Sequence, residues 1–354
     1  MKRVFIQSVG SVSCQKTFDN SQFLDEIEIY EANVVPAIDP AYKDYIPPAA
    51  ARRMAKGIKM GIVASKIALS DAGLDSVDAI ITGTGMGCLV ESEKFVSAII
   101  DNKEEYLTPT SFIQSTHNTV GGQIALDLEC KGYNFTYVHS SISFESALLD
   151  AQLQLAMEEA ETILVGGVDE LGAHTVKIHK LVHHIKAEMV SSARLLESNT
   201  EGAVFGEGAN FFVLSNQKKE GAYAELLAVD ILNTLDKEDL SQSMERFLAT
   251  AELKVEDIDL LVMGNNGDVV FDTYYRELSD GLFSKIPQAY YKHLSGEFNT
   301  ASSFGVWLAS KILKFQQIPE DTKLNSITSS KLNRILLYNQ YRGQNHSFVL
   351  LQKC

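Results

Sequence analysis

The chain has 354 residues, 45% of them hydrophobic, enough apolar side chain to fill the core of one large or two fused medium domains without staples. Its formal net charge of −15 argues against nucleic acid as the main partner, because phosphate binding depends on Lys and Arg displacing counterions. Cys14, Cys88, Cys130 and Cys354 are scattered, with no C-x-x-C pair and no His at zinc-ligand spacing, which points to free thiols in a reduced cytoplasm and to no metal or other cofactor.

The opening "MKRVFIQSVGSVS" holds a first strand, "RVFIQSV", too short for the apolar core of a signal peptide. An amphipathic helix follows in "AKGIKMGIVASKIALSDAG" (55–73), then the strand "DAIITG" and its glycine-rich exit "GTGMG" (83–87), which has neither dinucleotide spacing nor a P-loop Lys. The β-type run "NFTYVH" (134–139) meets the helical "FESALLDAQLQLAMEEA" at a corner of small hydroxyl residues. The strands "TILVGG" and "NFFVL" come next, then the polar "SNQKKEGAY" (215–223). This alternation predicts an α/β protein with largely parallel, buried strands. A faint repeat relates "SDAGLDSVDAIITGTG" (70–85) to "TAELKVEDIDLLVMGNNG" (250–267), each a helix end, an acidic turn, an apolar strand and a glycine-rich exit. Two similar halves, 1–215 and 223–354, are therefore expected in one compact body. No run approaches the roughly 18 apolar residues of a membrane span.

The corner carries the first chemical candidate. A strand that turns tightly into a helix aims free N–H groups at the turn, which suits a nucleophile at Ser141. Otherwise Ser140 or Ser141 simply caps the helix. Phe144, Ala147, Leu148, Ala151 and Leu155 recur at helical spacing, so that helix is a buried one. His139 stands two residues before Ser141, where β alternation puts both side chains on one side; it is either a base for the hydroxyl or a histidine satisfied within the core.

The corner also carries a resemblance. "GYNFTYVHSSISFESAL" followed by "ILVGG" is similar to the stretch G-P-x-x-x-x-D-T-A-C-S-S-x-x-x-A-L and the later V-G-G of β-ketoacyl-acyl-carrier-protein synthases, the condensing enzymes of the thiolase superfamily that serve fatty acid and polyketide biosynthesis. "VFGEGANFFVL" resembles the family's G-E-G-A strand, "KHLSGEFNTASSFG" matches K-S-x-x-G-H-x-x-G-A-A-G in its Lys and first Gly, and "YRGQNHSFVLL" resembles F-G-G-x-N-x-x-x-V-L. The long helix and "IITGTGMG" fit upstream, so the resemblance runs over the whole chain. It implies a thiolase-like five-layer αβαβα fold of two pseudo-repeated halves, a dimer paired through "NFTYVH", and an acyl pocket that includes Phe205 and Tyr341. It also implies that the basic cluster Arg52, Arg53, Lys56 and Lys59 receives an acyl carrier protein; a solvated helix face is the plain alternative.

The resemblance puts the family's nucleophilic Cys at Ser141, its first His at Gly264 (Asn265 or Asn266 if the turn shifts) and its second His at Glu297, with Lys292 retained. An alcohol needs a neighbouring base to attack, and a carboxylate repels an enolate. The segment between Val168 and Glu207 looks trimmed against a typical synthase. The expected protein is thus an acyltransferase-family member whose Cys-His-His centre is lost: a silent chain-length-factor-like subunit forming a heterodimer with an active synthase, on the pattern of short silent subunits in aryl-polyene pathways. Two other readings are an acyltransferase or condensing enzyme using Ser141, and a non-enzymatic acyl-binding scaffold homodimer.

Overall fold

The computed structural model describes residues 2–329 and 331–354. The apolar runs become ten strands of one sheet: β1 (Val4–Val12), β2 (Ala79–Gly83), β3 (Tyr133–Tyr137), β4 (Thr162–Asp169), β5 (Gly208–Ser215), β6 (Ala224–Thr234), β7 (Leu260–Met263), β8 (Gln288–Tyr290), β9 (Arg334–Tyr341) and β10 (Gln344–Gln352). In space they run β8-β7-β9-β10-β6-β1-β5-β4-β2-β3. Read outward from the middle, β1-β5-β4-β2-β3 and β6-β10-β9-β7-β8 are one topology used twice, and the pairing directions repeat as well. The two copies meet where β1 pairs antiparallel with β6, Val4 with Leu226, Phe5 with Glu225 and Ile6 with Ala224.

The expectation of largely parallel strands needs correction. In each copy the strand that returns after the last crossover, β5 or β10, lies antiparallel to both of its neighbours. A strand buried on both faces reads as a continuous apolar run whichever way it points, so its pattern does not encode direction.

Six helices repeat with the strands: α1 (Lys56–Ala72), α2 (Thr119–Asp127), α3 (Ser143–Ala156), α4 (Leu240–Thr250), α5 (Thr273–Ser279) and α6 (Ser302–Phe315). The middle layer is α3 with α6. Their Phe144, Leu148 and Leu155, and Phe304, Trp307 and Ile312, share one core with both copies of the sheet. Burying each such Phe or Leu contributes about 1.5–3 kcal/mol. The helices α1 and α2 cover the outer face of the first copy, and α4 and α5 that of the second, which completes the five layers. Gly10 lets α1 lie close on β1, since a first side-chain carbon there would stand 2.0 Å from the Ala64 carbonyl oxygen. No helix among the described residues is long and apolar enough to cross a membrane. Among the described residues the outermost strand of the first copy, β3, has one sheet neighbour, β2, and leaves Tyr133 and Phe135 nearly half exposed.

Candidate functional site

After β3 the backbone turns through Ser140, whose φ of 52° is left-handed, and a single tight turn at Ser140–Ile142 feeds α3. Ser143 holds the corner: its hydroxyl accepts from the His139 N–H at 2.7 Å and donates to the Ser140 carbonyl at 2.7 Å. Ser141 is thereby placed at the start of the buried helix, 2% exposed, where its Oγ accepts a hydrogen bond from Asn345 Nδ2 at 3.1 Å. Neither Ser140 nor Ser141 caps α3 through its side chain. The left-handed residue between them breaks the alternation expected for His139 and Ser141. His139 is exposed and its Nδ1 lies 3.4 Å from Ser146 Oγ; no hydrogen bond joins it to Ser141 among the described residues.

The second copy supplies the remaining positions. A first side-chain carbon at Gly264 would stand 2.4 Å from Asn339 Oδ1 and 2.8 Å from the Tyr275 hydroxyl, so a side chain here would have to displace them. The residue of that turn that reaches the centre is Asn266, whose Nδ2 donates to Glu297 Oε2 at 2.7 Å. Lys292 Nζ donates to the same oxygen at 2.7 Å, and both partners of this ion pair are almost fully buried. Backbone pairing fixes Glu297: its N–H donates to the Val204 carbonyl at 2.8 Å and its carbonyl accepts from the Gly206 N–H at 3.0 Å. Asp272 ties the turn by accepting from the N–H groups of Asn266 and Gly267, and burial pushes its carboxyl up to about 6.

The start of β10 joins the halves at α3. Beside the Asn345 contact, Ser347 Oγ donates to Glu145 Oε1 at 2.7 Å. Glu145 is fully buried one turn beyond Ser141, and burial holds its carboxyl above the usual range, against the opposing Ser347 bond. Sequence reasoning missed Glu145; a charged residue on the apolar stripe of a buried helix was the available signal.

Glu297, Phe205 and Tyr341 do come together, lining one cavity of about 60 Å³ with Met86, Leu89 and Phe298. Ser141 is not on its wall. His179 is, and was not foreseen. Its Nδ1 lies 3.1 Å from His184 Nδ1, which lies 3.4 Å from the Tyr341 hydroxyl. Burial, and secondarily Arg342, lowers the pKa of His179 and His184. The basic cluster is only partly free. Lys56 pairs with buried Glu207, and Lys59 sits over the Tyr42 ring at 5.0 Å, leaving Arg52 and Arg53 as its exposed members.

Comparison with known proteins adds to this geometry. The family described as "Beta-ketoacyl synthase, N-terminal domain" matches residues 15–220. The 3-oxoacyl-[acyl-carrier-protein] synthase II of Arabidopsis thaliana is 25% identical over 283 residues, covering 72% of this chain and 51% of that protein. The 3-oxoacyl-[acyl-carrier-protein] synthase 2 of Vibrio harveyi is 26% identical over 199 residues, covering 52% and 48%. The chain thus matches about half the length of these relatives. Among solved structures, a β-ketoacyl synthase from Burkholderia phymatum superposes with a TM-score of 0.80 at 16% identity over all of both chains. A ketosynthase in complex with its chain length factor, from Xenorhabdus doucetiae, gives 0.76 at 16% over all of this chain and 98% of that one. A type II acyl-carrier protein in complex with its ketosynthase gives 0.75 at 18% over all of both. At these identities the structural likeness concerns the fold.

Proposed function

The chain belongs to the β-ketoacyl synthase family, and from that premise we propose that it is a catalytically silent, chain-length-factor-type subunit paired with an active β-ketoacyl-acyl-carrier-protein synthase. One observation carries the reading. Where the family's chemistry, as the sequence resemblance gives it, requires a thiolate and two imidazoles, this centre holds a buried hydroxyl bonded by an amide and a carboxylate locked between Lys292 and Asn266. An amide N–H cannot take a proton from Ser141, so the hydroxyl lacks the base that would make it a nucleophile. A malonyl unit losing carbon dioxide leaves an enolate, which needs hydrogen-bond donors; Glu297 Oε2 presents negative charge, and its two donors are already engaged.

What the chain retains is a surface for assembly. The free edge of β3 offers unpaired backbone groups beside the exposed Tyr133 and Phe135 rings, and a partner strand added there extends the sheet. The cavity lined by Phe205, Tyr341 and Glu297 supplies a wall for an acyl chain within such an assembly. The test is co-expression with candidate synthases that retain the Cys-His-His centre. The expected complex buries more than about 1,000 Å². Tyr137→Asp places a charge at the joint and should release the partner. Carbon–carbon bond formation by the purified chain alone, or a wild type that stays monomeric with every candidate, refutes the proposal.

A further inference from the structure

Four of the chain's eight histidines, His174, His179, His183 and His184, lie within residues 174–184. His174 and His183 are exposed, whereas His179 and His184 are half-buried and face each other. The end of the helix Ala173–Leu181 brings this about. His183 takes a left-handed φ of 56°, its N–H donates to the Lys180 carbonyl at 3.3 Å, and the His184 N–H reaches back to the His179 carbonyl at 2.9 Å. A helix stop of this kind lays the residue after the left-handed one against the last full turn, so His184 falls on His179. Their Nδ1 atoms lie 3.1 Å apart, one ring donating a proton and the other accepting it. Burial, and secondarily Arg342, lowers the pKa of both rings, which leaves them largely neutral at pH 7. The Tyr341 hydroxyl stands 3.4 Å from His184 Nδ1, and burial keeps it protonated.

We propose that His179 and His184 form a chelating site for a divalent transition metal of the zinc type, bound through both Nδ1 atoms in place of the proton they share. The ring that carries its proton on Nδ1 moves it to Nε2, so two lone pairs face the ion and no proton is released overall. Nitrogens 3.1 Å apart, each roughly 2.0–2.1 Å from the metal, subtend about 95–100° at it, and a tetrahedral site needs only about 0.3 Å more separation, which ring rotation supplies. Among the described residues no three His, Cys, Asp or Glu side chains converge, so water fills the remaining positions and the Tyr341 hydroxyl is placed to hold one such water. Arg342 is the opposing charge nearby, offset by its ion pair with Asp268 at 3.3 Å. Two protein ligands give a site of roughly micromolar affinity that exchanges its metal, unlike a closed four-ligand site. His179 is on the wall of the cavity that reaches Glu297 and Tyr341, so an occupied pair sets a cation and its water there. Sequence spacing gave no sign of the pair. Histidines five apart do not share a helical face, and these two meet because the helix ends between them.

The experiment is calorimetric titration of zinc chloride into the full, untagged, chelator-treated chain at pH 7. Wild type should take up one zinc per chain. His179→Gln and His184→Gln should each bind roughly tenfold more weakly or worse. His174→Gln/His183→Gln, which removes the exposed imidazoles, and Cys130→Ser/Cys354→Ser, which removes the half-buried thiols, should bind like wild type. Melting without zinc checks that every variant folds, and saturating zinc should raise the melting temperature of wild type but not of His179→Gln/His184→Gln. Anomalous scattering from wild-type crystals grown with zinc locates the ion without any substitution, and it should lie roughly 2.0–2.1 Å from both Nδ1 atoms. The proposal is overturned if wild type binds zinc more weakly than about 1 mM, or if the His179 and His184 variants bind as wild type does. It also falls if the exposed-histidine or cysteine variant loses the zinc instead, if the anomalous peak lies elsewhere, or if several weak equivalents bind wild type and the double variant alike, which would mean an adventitious ion only.

Discussion

Breaking the Lys292–Glu297 pair tests whether the retained lysine is structural. Its Nζ and Glu297 Oε2 lie 2.7 Å apart with side chains 1% and 3% exposed, so removing either charge strands the other away from water. Lys292→Met leaves the carboxylate with the Asn266 amide alone, and Glu297→Gln leaves the ammonium without its contact counter-ion. Each single change should cost about 3–5 kcal/mol. The double variant Lys292→Met/Glu297→Gln buries no unpaired charge, and its Gln oxygen still accepts from Asn266. It should lie within about 1 kcal/mol of wild type, which makes the coupling between the sites several kcal/mol. Urea denaturation at neutral pH measures all four corners, provided the slope against urea is unchanged. Single losses below about 1 kcal/mol, or a double that equals the sum of the singles, would refute the argument.

Three further outcomes follow from the centre and its surroundings. Ser141→Cys should fold and react with a small alkylating agent in denaturant, yet yield no carbon–carbon bond formation and no malonyl decarboxylation, since no imidazole replaces Asn266 or Glu297; product above the wild-type background would contradict this. Gly264→His forces a ring into space held by Asn339 and Tyr275 and should lower stability by about 1–3 kcal/mol or abolish folding; a neutral effect in denaturation would show that the turn yields. His293, buried and stacked on Tyr290 at 4.0 Å, has its pKa pushed down by burial to about 3. The unfolded chain therefore binds the extra proton below about pH 6.5, and stability is lost as pH falls from there toward 3, by about 2 kcal/mol at pH 5. His293→Phe should remove that part of the acid sensitivity, and equal losses between pH 7 and 5 in both proteins would disprove it.

The apolar runs and the helix after the corner were legible because a buried strand and a buried helical stripe leave clear periodicities; Phe144, Ala147, Leu148, Ala151 and Leu155 are all fully buried. The thiolase-like fold was legible through ordered motifs. Strand direction was not, as β5 and β10 show. Around the centre, spacing along the chain predicted contacts only where the backbone stayed regular. One left-handed residue at Ser140 turned His139 outward, and the packing around Gly264 moved the centre-facing role to Asn266. The charge of Lys56 was visible, but its partner Glu207 lies 151 residues away, so whether it was free depended on tertiary contact. His179 came from a segment that only looked shortened, and no local pattern marks a histidine that will line a cavity.

The unpaired side of β3 also bears on how much of this chain a cell can hold. An aromatic-bearing strand end with open backbone groups will recruit whatever strand reaches it, including the same edge of another copy. Production in excess of whatever normally covers that edge should therefore end in insoluble material, and yield should depend on the stoichiometry of synthesis more than on the melting point of the fold. Substitutions would then sort by place. Changes in the interior that preserve volume should have little effect, while a single lysine along Tyr133–Tyr137 should improve solubility and, on the proposed function, weaken partner binding.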